Sequence, residues 1–550
     1  MPPVASRRGR QISSKACDSC RDRKIQCGFD GDSTTCRRCS DSNLACTFLR
    51  ERKPRGPPAR RLARDPTALT LPVGELCIEL LCSRNIFLNI LDDYLEMVYP
   101  LLPLIHRPQF RARLEIDTYT KDSGFFRLCI ALCAVTVASL PRKFDSYSAK
   151  LYPDVGAMVD RACHLVLLSR LTKIPDWQNR PSMDSMLVSI LLTMASHYAG
   201  RSNQGWAYAS EAIQFFRALE LYRKEAYGEL TALERELCKR AFWMLYIIQI
   251  HDRLSFIVPH TGLSFDPLHT DWEYLLPLVL EDEDLDKEIQ ASTPHNPGLS
   301  ICDTEEATPL IAGFVALIKV FLCVVDLLSH GFPGSPPQAY AMTSGSSQTQ
   351  AEGNARRSTV SLGSLLRIIK QLQGTLEELP NELKISTLDP QLRTPEAEGV
   401  AGSPRIYQFD IMRANIHITS LYIQSTILET CSNAFTTSNA DQFAASPSDD
   451  RSSPGYAPRT QLWKFRESIA KELLEVLNFC SSRTLEANGT SMIVKIREIA
   501  ATLLGDGNDI GVTSDLEEQS RQYVQAFAEI LASIDHLGHS TIIPPIFSAH

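Results

Sequence analysis

The sequence has little of what an enzyme, a secreted protein or a membrane protein needs. No nucleophile elbow, phosphate loop, HExxH pair or dinucleotide-binding glycine fingerprint is present, so the chain reads as a non-enzyme. The start, "MPPVASRRGRQ", has no apolar h-region, which argues against a secretory signal and for a reducing compartment. The sequon Asn488-Gly489-Thr490 is then expected to go unused. The longest apolar stretch, Leu310–Leu328, is broken by Lys319 and Asp326; it is expected as a buried helix and not as a membrane span. Strand-like alternation is scarce, which excludes a β-rich body. No histidine precedes His106, so a metal site near the start has to be built without one.

Charge is present but unevenly spread. Residues 1–64 carry 16 Lys/Arg against 6 Asp/Glu, a net of +10, while the remaining 486 residues carry 40 against 58, a net of −18. A basic end on an acidic body suggests that the end meets a polyanion.

The 16 cysteines are also uneven, with six between Cys17 and Cys46. Their order is Cys17-x2-Cys20-x6-Cys27-x8-Cys36-x2-Cys39-x6-Cys46. "CDSCRDRKIQC" superposes without a gap on "CRRCSDSNLAC", Asp22 on Asp41 and Ile25 on Leu44. The stretch is therefore a repeat of two short units, each able to present two thiolates from a tight turn. One tetrahedral Zn²⁺ takes four ligands and would strand two cysteines. Two ions need eight ligand positions, which six thiolates supply only if two of them bridge. A segment with so little apolar material needs metal to fold, and a binuclear cluster uses every cysteine. The remaining ten cysteines are scattered and are expected as buried apolar residues.

Residues 17–46 resemble the DNA-binding domain of the fungal zinc binuclear cluster (Zn2Cys6) transcription regulators. The resemblance implies two Zn²⁺ per chain. It places one zinc on Cys17, Cys20, Cys27 and Cys36 and the other on Cys17, Cys36, Cys39 and Cys46, with Cys17 and Cys36 bridging. It also implies that the end of the first short helix enters the major groove over CGG triplets. The residues themselves say which half reads: the first repeat has Arg23-Lys24 where the second has Ser42-Asn43. Lysine and arginine can donate to O6 and N7 of guanine. Lys24 matches the family's base-reading lysine, and Arg21 and Arg23 suit phosphate or base-edge contacts. Two departures leave the DNA sequence less defined: Gln26 stands where the family often has a basic residue, and Thr34 where it often has proline.

"LRERKPRGPPARRLAR" (Leu49–Arg64) has seven Lys/Arg and three prolines. The prolines disfavour helix, so Arg52, Lys53, Arg55, Arg60 and Arg61 are expected to track phosphates from an extended chain and to serve nuclear import. Its "Lys-Pro-Arg-Gly-Pro" resembles the linker of a family branch that includes regulators of sugar use and metabolic gene clusters. No clear heptad follows, so no coiled-coil dimer is supported there.

From about Leu76 the pattern is helical. "GFFRLCIALCAVTVASLP", "SMLVSILLTMASHYAG", "WAYASEAIQFFRALELY" and "ERELCKRAFWMLYIIQIHDRLSF" read as long, mostly buried helices, and the body as all-α. Tyr99-Pro100, Pro103, His106, Pro108, Phe110, Trp206, Phe242-Trp243, Tyr246 and Asp252-Arg253 resemble elements of the fungal-specific transcription factor domain, over roughly residues 85–330. His106 is expected in core or loop and not as a ligand, and Asp252-Arg253 as a structural ion pair or a surface pair and not as a catalytic set. "LLPLVLEDEDLDKEI" suits an activation patch or a solvated turn equally. Glu288–Leu310, Gly331–Ser358 and Ser438–Pro458 have the composition of loops or disorder.

The fold expected is thus a small Zn2Cys6 module plus a large all-α regulatory domain. Its parts are a disordered basic 1–16, a DNA-binding domain 17–48 and a basic linker 49–70. A helical transcription factor domain 75–330, a low-complexity 331–358 and a helical 359–550 with a flexible 438–458 follow. The function expected is a nuclear regulator of RNA polymerase II genes, an activator by family habit. Its partners would be double-stranded DNA, the transcription machinery or coregulators, and a second copy in a homodimer, with no membrane. The rival is a zinc-stapled protein-interaction or repressor scaffold that does not read DNA; the Arg23-Lys24 asymmetry and the basic end argue against it.

Overall fold

The structure is a computed structural model that describes residues 16–29, 33–48, 77–254, 271–285, 307–324, 362–385, 404–442, 456–504 and 514–534. The chain divides into two compact units, Met1–Leu71 and Pro72–His550.

The first unit holds two helices, α1 (Asp18–Asp22) and α2 (Arg37–Asp41). Five residues are too few to hold a helix in water, so both need an external frame. That frame is sulfur: Cys17, Cys20, Cys27, Cys36 and Cys39 are buried together, with Ala16, Phe29, Leu44 and Cys46 packed around them. Each helix starts on a cysteine in extended conformation, Cys17 or Cys36. Each stops in the same way. Lys24 N–H donates to Arg21 O and Ile25 N–H to Cys20 O; Asn43 N–H donates to Ser40 O and Leu44 N–H to Cys39 O. These are Schellman closures, which place a left-handed residue just past the helix and an apolar residue next. Lys24 and Asn43 are those left-handed residues, at φ 54° and 50°. The sequence repeat is thus a structural repeat, down to its hydrogen bonds.

In the second unit every described element is helical, and no strand occurs among the described residues. Ser123–Ser139 is central, with fourteen of its 17 residues buried. Asp122 starts it by accepting from Gly124 N–H (2.8 Å) and Phe125 N–H (3.2 Å). Val155–Lys173 and Met183–Tyr198 flank it, and Met183–Tyr198 turns back into Ser202–Ala218 through Gly200 at φ 72°. Further along, the 39-residue helix Pro404–Gln442 packs on Ile311–Leu322, Tyr456–Phe479 and Thr490–Ala501. Gly313 permits one of these contacts, since a Cβ there would overlap the Met412 side chain. One apolar core runs through both groups, from Ile78 to Ile534.

Among the described residues no single helix is long and apolar enough to cross a membrane. The bent pair Ser123–Ser139 and Pro141–Ser148, broken by 99°, passes on length and composition, but its long arm is the core helix just described. The apolar stretch from Leu310 gives the buried helix Ile311–Leu322, too short to span.

Helix extends further than composition suggests at 438–458, where residues up to Gln442 and from Tyr456 are helical. Leu310, at the end of the loop-like 288–310 stretch, is buried. Residues 331–358 lie outside the described residues, as do the side chains of Asp252 and Arg253.

The acidic run is neither a free patch nor a simple solvated turn. Asp282 is buried and accepts from Arg240 Nη2 (3.0 Å), Tyr99 Oη (2.7 Å) and Arg107 N–H (2.9 Å). Its carbonyl lies 2.8 Å from His106 Nε2, whose ring caps the helix Arg107–Glu115 by accepting from Gln109 N–H through Nδ1. Glu281 pairs with Arg107 and Arg405, each at 2.7 Å. Burial works against the Asp282 charge, yet Arg240 and these donors hold its carboxyl below the ordinary range. Glu283 and Asp284 remain exposed.

Candidate metal centre

Six thiols meet in the small unit. The sulfurs of Cys17, Cys20, Cys27 and Cys36 lie within 4.8 Å of one another, and so do those of Cys17, Cys36, Cys39 and Cys46. The two sets share Cys17 and Cys36. Their sulfurs are 3.7 Å apart, with Cys17–Cys39 at 3.5 Å and Cys20–Cys36 at 3.6 Å. A zinc–sulfur bond of about 2.3 Å in a tetrahedron gives an edge of about 3.8 Å. The sulfurs therefore describe two tetrahedra joined along the Cys17–Cys36 edge, which is the arrangement that ligand counting requires.

Electrostatics agree with this sharing. Burial raises all six thiols, and neighbouring thiols push Cys20, Cys27, Cys39 and Cys46 up, Cys39 to about 12. Cys17 and Cys36 move the other way. Against the same burial, the backbone N–H of Cys20 and of Cys39 and the surrounding thiols bring them down, Cys36 to about 6. Cys39 N–H lies 3.4 Å from Cys36 Sγ. Six thiolates so close together need cations between them, and the donor set is one that zinc accepts.

The cationic residues separate by role. Arg23 closes α1 and Lys24 stands just beyond it; both are exposed. Arg21 is half-buried and turns back to donate from Nη2 to Ala16 O (3.3 Å). Arg52, Lys53, Arg55, Arg60 and Arg61 lie outside the described residues. The sequence reading overlooked Arg37 and Arg38, which are exposed on the first turn of α2. Their signal was a basic pair inside the second Cys-x2-Cys.

Comparison with known proteins gives the same division. Residues 15–56 match the "Fungal Zn(2)-Cys(6) binuclear cluster domain" and residues 91–394 match the "Fungal specific transcription factor domain". The structure adds that helices beyond 394 share the core of those before it. Over 270 residues the chain is 26% identical to Maltose fermentation regulatory protein MAL13 of Saccharomyces cerevisiae, covering 46% of this chain and 52% of that protein. It is 24% identical to MAL33 of the same organism over 259 residues, again 46% and 52%. The chain thus spans about half the length of these curated relatives. Over 56 residues it is 41% identical to the Citrinin biosynthesis transcriptional activator mrl3 of Monascus ruber, covering 10% of this chain and 11% of that protein. No solved structure matches.

Proposed function

Because the chain belongs to the fungal Zn(2)-Cys(6) transcription factors with a fungal-specific transcription factor domain, we propose that it reads specific DNA sites and regulates RNA polymerase II genes from the nucleus. Two Zn²⁺ are held by the six cysteines, with Cys17 and Cys36 shared. The metal supplies no catalysis; it ties the thiolates together and so frames two helices too short to stand alone. No catalytic step enters this reading.

The observation that carries it is Lys24, an exposed lysine held left-handed at the end of α1. A residue other than glycine or asparagine is costly there. Asparagine fills the matching place in the second repeat. Keeping a lysine in the first is understandable if its ammonium is needed, donating to guanine in a CGG-type triplet. Arg23 lies beside it for base edge or phosphate, and Arg21 supports from the helix. Arg52, Lys53, Arg55, Arg60 and Arg61 neutralise phosphates. The acidic helical body recruits coregulators, with activation the expected sign. Kinship with regulators named for maltose fermentation and citrinin biosynthesis supports metabolic genes as targets.

Titrations of the full chain on a CGG-bearing and a scrambled duplex, at several salt concentrations, test this. Lys24→Ala should cost roughly 1–3 kcal/mol on the specific duplex and little on the scrambled one. Arg60→Ala with Arg61→Ala should weaken both alike and flatten the salt dependence by about 0.9 per lost contact. Equal loss on both duplexes for Lys24→Ala would reassign base reading to Arg21 or Arg23. A wild-type chain that prefers neither duplex nor any CGG spacing would favour the scaffold reading.

A further inference from the structure

A twofold relation links the two halves of the cluster, and their backbone bonds display it. Asp18 N–H donates to Thr47 O (2.8 Å), and Arg37 N–H donates to Gly28 O (3.1 Å). Thr47 follows the sixth cysteine as Gly28 follows the third, so these are the same bond in the two repeats. Each helix therefore starts against the chain around the other half's last cysteine. Ser19 Oγ also donates to Ala45 O (2.8 Å), so residue 19 lies beside residue 45. The twofold relation then places residue 38 beside Gln26, two residues past Lys24. The cations follow this geometry. Arg23, Lys24, Arg37 and Arg38 belong to the side where the end of α1 meets the start of α2. Their twofold mates, where the end of α2 meets the start of α1, are Ser42, Asn43, Asp18 and Ser19. One side of the cluster is thus cationic at each of these positions, and the other side at none of them.

We infer that Arg38 is a phosphate-binding residue and that the two repeats present one DNA face between them, an inference that rests on the reading of Lys24 above. Arg38 is exposed. Arg37 is already engaged within the chain, so the contact falls to its neighbour. Lys24 to Gln26 is at most about 7 Å along the chain. That is about two base-pair steps of 3.4 Å, so a guanidinium rooted beside Gln26 meets the DNA backbone close to the base under Lys24. Arginine suits that place, because its planar fork can grip a phosphate with two parallel hydrogen bonds. Such a contact carries no sequence information, but it fixes the register in which Lys24 approaches guanine. A five-residue helix has little length with which to fix that register alone. The second repeat thus does more than complete the metal frame: its first turn grips the backbone while the end of α1 reads.

The test uses the full chain with Arg38→Ala, Arg38→Lys and Asn43→Lys, measuring zinc content and affinity for a CGG-bearing and a scrambled duplex at several salt concentrations. On the CGG-bearing duplex Arg38→Ala should lower the salt slope by about 0.9, so that a fourfold rise in salt weakens it about 3.5-fold less than the wild type. Its zinc content should stay at the wild-type level. Arg38→Lys, which keeps the charge, should keep the slope. Asn43→Lys adds a cation at the twofold mate of Lys24, on the side turned from the DNA, and should leave the slope unchanged. An unchanged slope in Arg38→Ala, or a fall as large in Arg38→Lys, would overturn the phosphate contact. A rise in Asn43→Lys as large as the fall in Arg38→Ala would overturn the single DNA face. Loss of zinc from Arg38→Ala would also overturn the inference, by making that side chain part of the fold. If the wild-type chain itself prefers neither duplex, the DNA-reading function fails and the inference falls with it.

Discussion

Lys24 and Asn43 occupy equivalent places in the two halves of the cysteine cluster and share a left-handed backbone, φ 54° and φ 50°. Asparagine suits that conformation and lysine does not. The first half therefore carries a conformational cost that the second avoids.

Lys24→Asn should remove that cost. We expect the cluster to resist chelation better, by about 1 kcal/mol, while the preference for a CGG-bearing duplex falls. The chelator concentration at half-loss of zinc, read beside duplex titrations, checks both. A variant that loses specificity without gaining resistance would mean that the left-handed lysine is not strained.

Zinc stoichiometry tests the shared edge between the tetrahedra. The full chain should hold two zinc ions. Cys17→Ser and Cys36→Ser, each belonging to both sulfur sets, should lose more metal than Cys27→Ser, which belongs to one. Elemental analysis finding a single ion in the intact protein would reject the binuclear arrangement.

The large unit should lose stability in mild acid. Burial lowers His417 to about 4; burial, with Lys495 and His197 nearby, lowers His251 to about 3, against an ordinary 6.5. Below pH 6.5 the unfolded chain takes up protons that the folded chain refuses. Their contribution is therefore constant above 6.5 and is lost as pH falls towards 4 and then 3, reaching about 2–3 kcal/mol per histidine at pH 4.5. Urea midpoints between pH 7.5 and 4.5 measure this. His417→Gln can still donate to Leu383 O, and His251→Phe can still stack on Tyr422. Both should flatten the pH dependence, and an unchanged slope would show that neither histidine is held neutral.

Asp282→Ala should destabilise the large unit by about 3–5 kcal/mol, because it leaves the Arg240 guanidinium buried without its carboxylate. The side chains of Arg240 and Asp282 are 2% and 1% exposed, so water cannot replace the lost partner. Thermal unfolding of the full chain should show the loss, with zinc content unchanged. A shift no larger than that of Glu283→Ala, an exposed neighbour, would mean that Asp282 does not clasp the fold.

The sequence by itself determined the cluster. Cysteine chemistry is local and countable, and the two repeats align without a gap. Arithmetic therefore required two bridging thiolates for two ions, and the resemblance named Cys17 and Cys36 as the pair. Helical periodicity likewise determined an all-α body, because apolar spacing reports the face that must be buried. Tertiary structure alone decided which polar groups are spent inside. The acidic run around Asp282 has the composition of an exposed segment, yet Asp282 is consumed by Arg240 and Tyr99, 42 and 183 residues away. No local pattern encodes a partner at that distance. His106 had no legible task until the carbonyl of Asp282 stood 2.8 Å from its Nε2. The bonds that Ser19 and Thr47 make across the cluster were hidden for a related reason. Ser19 and Thr47 are ordinary in sequence, and only the path around the sulfurs brings residue 47 back to the first turn of α1. Covalent spacing specifies a metal frame, but hydrogen bonds between distant residues exist only once the chain has closed on itself.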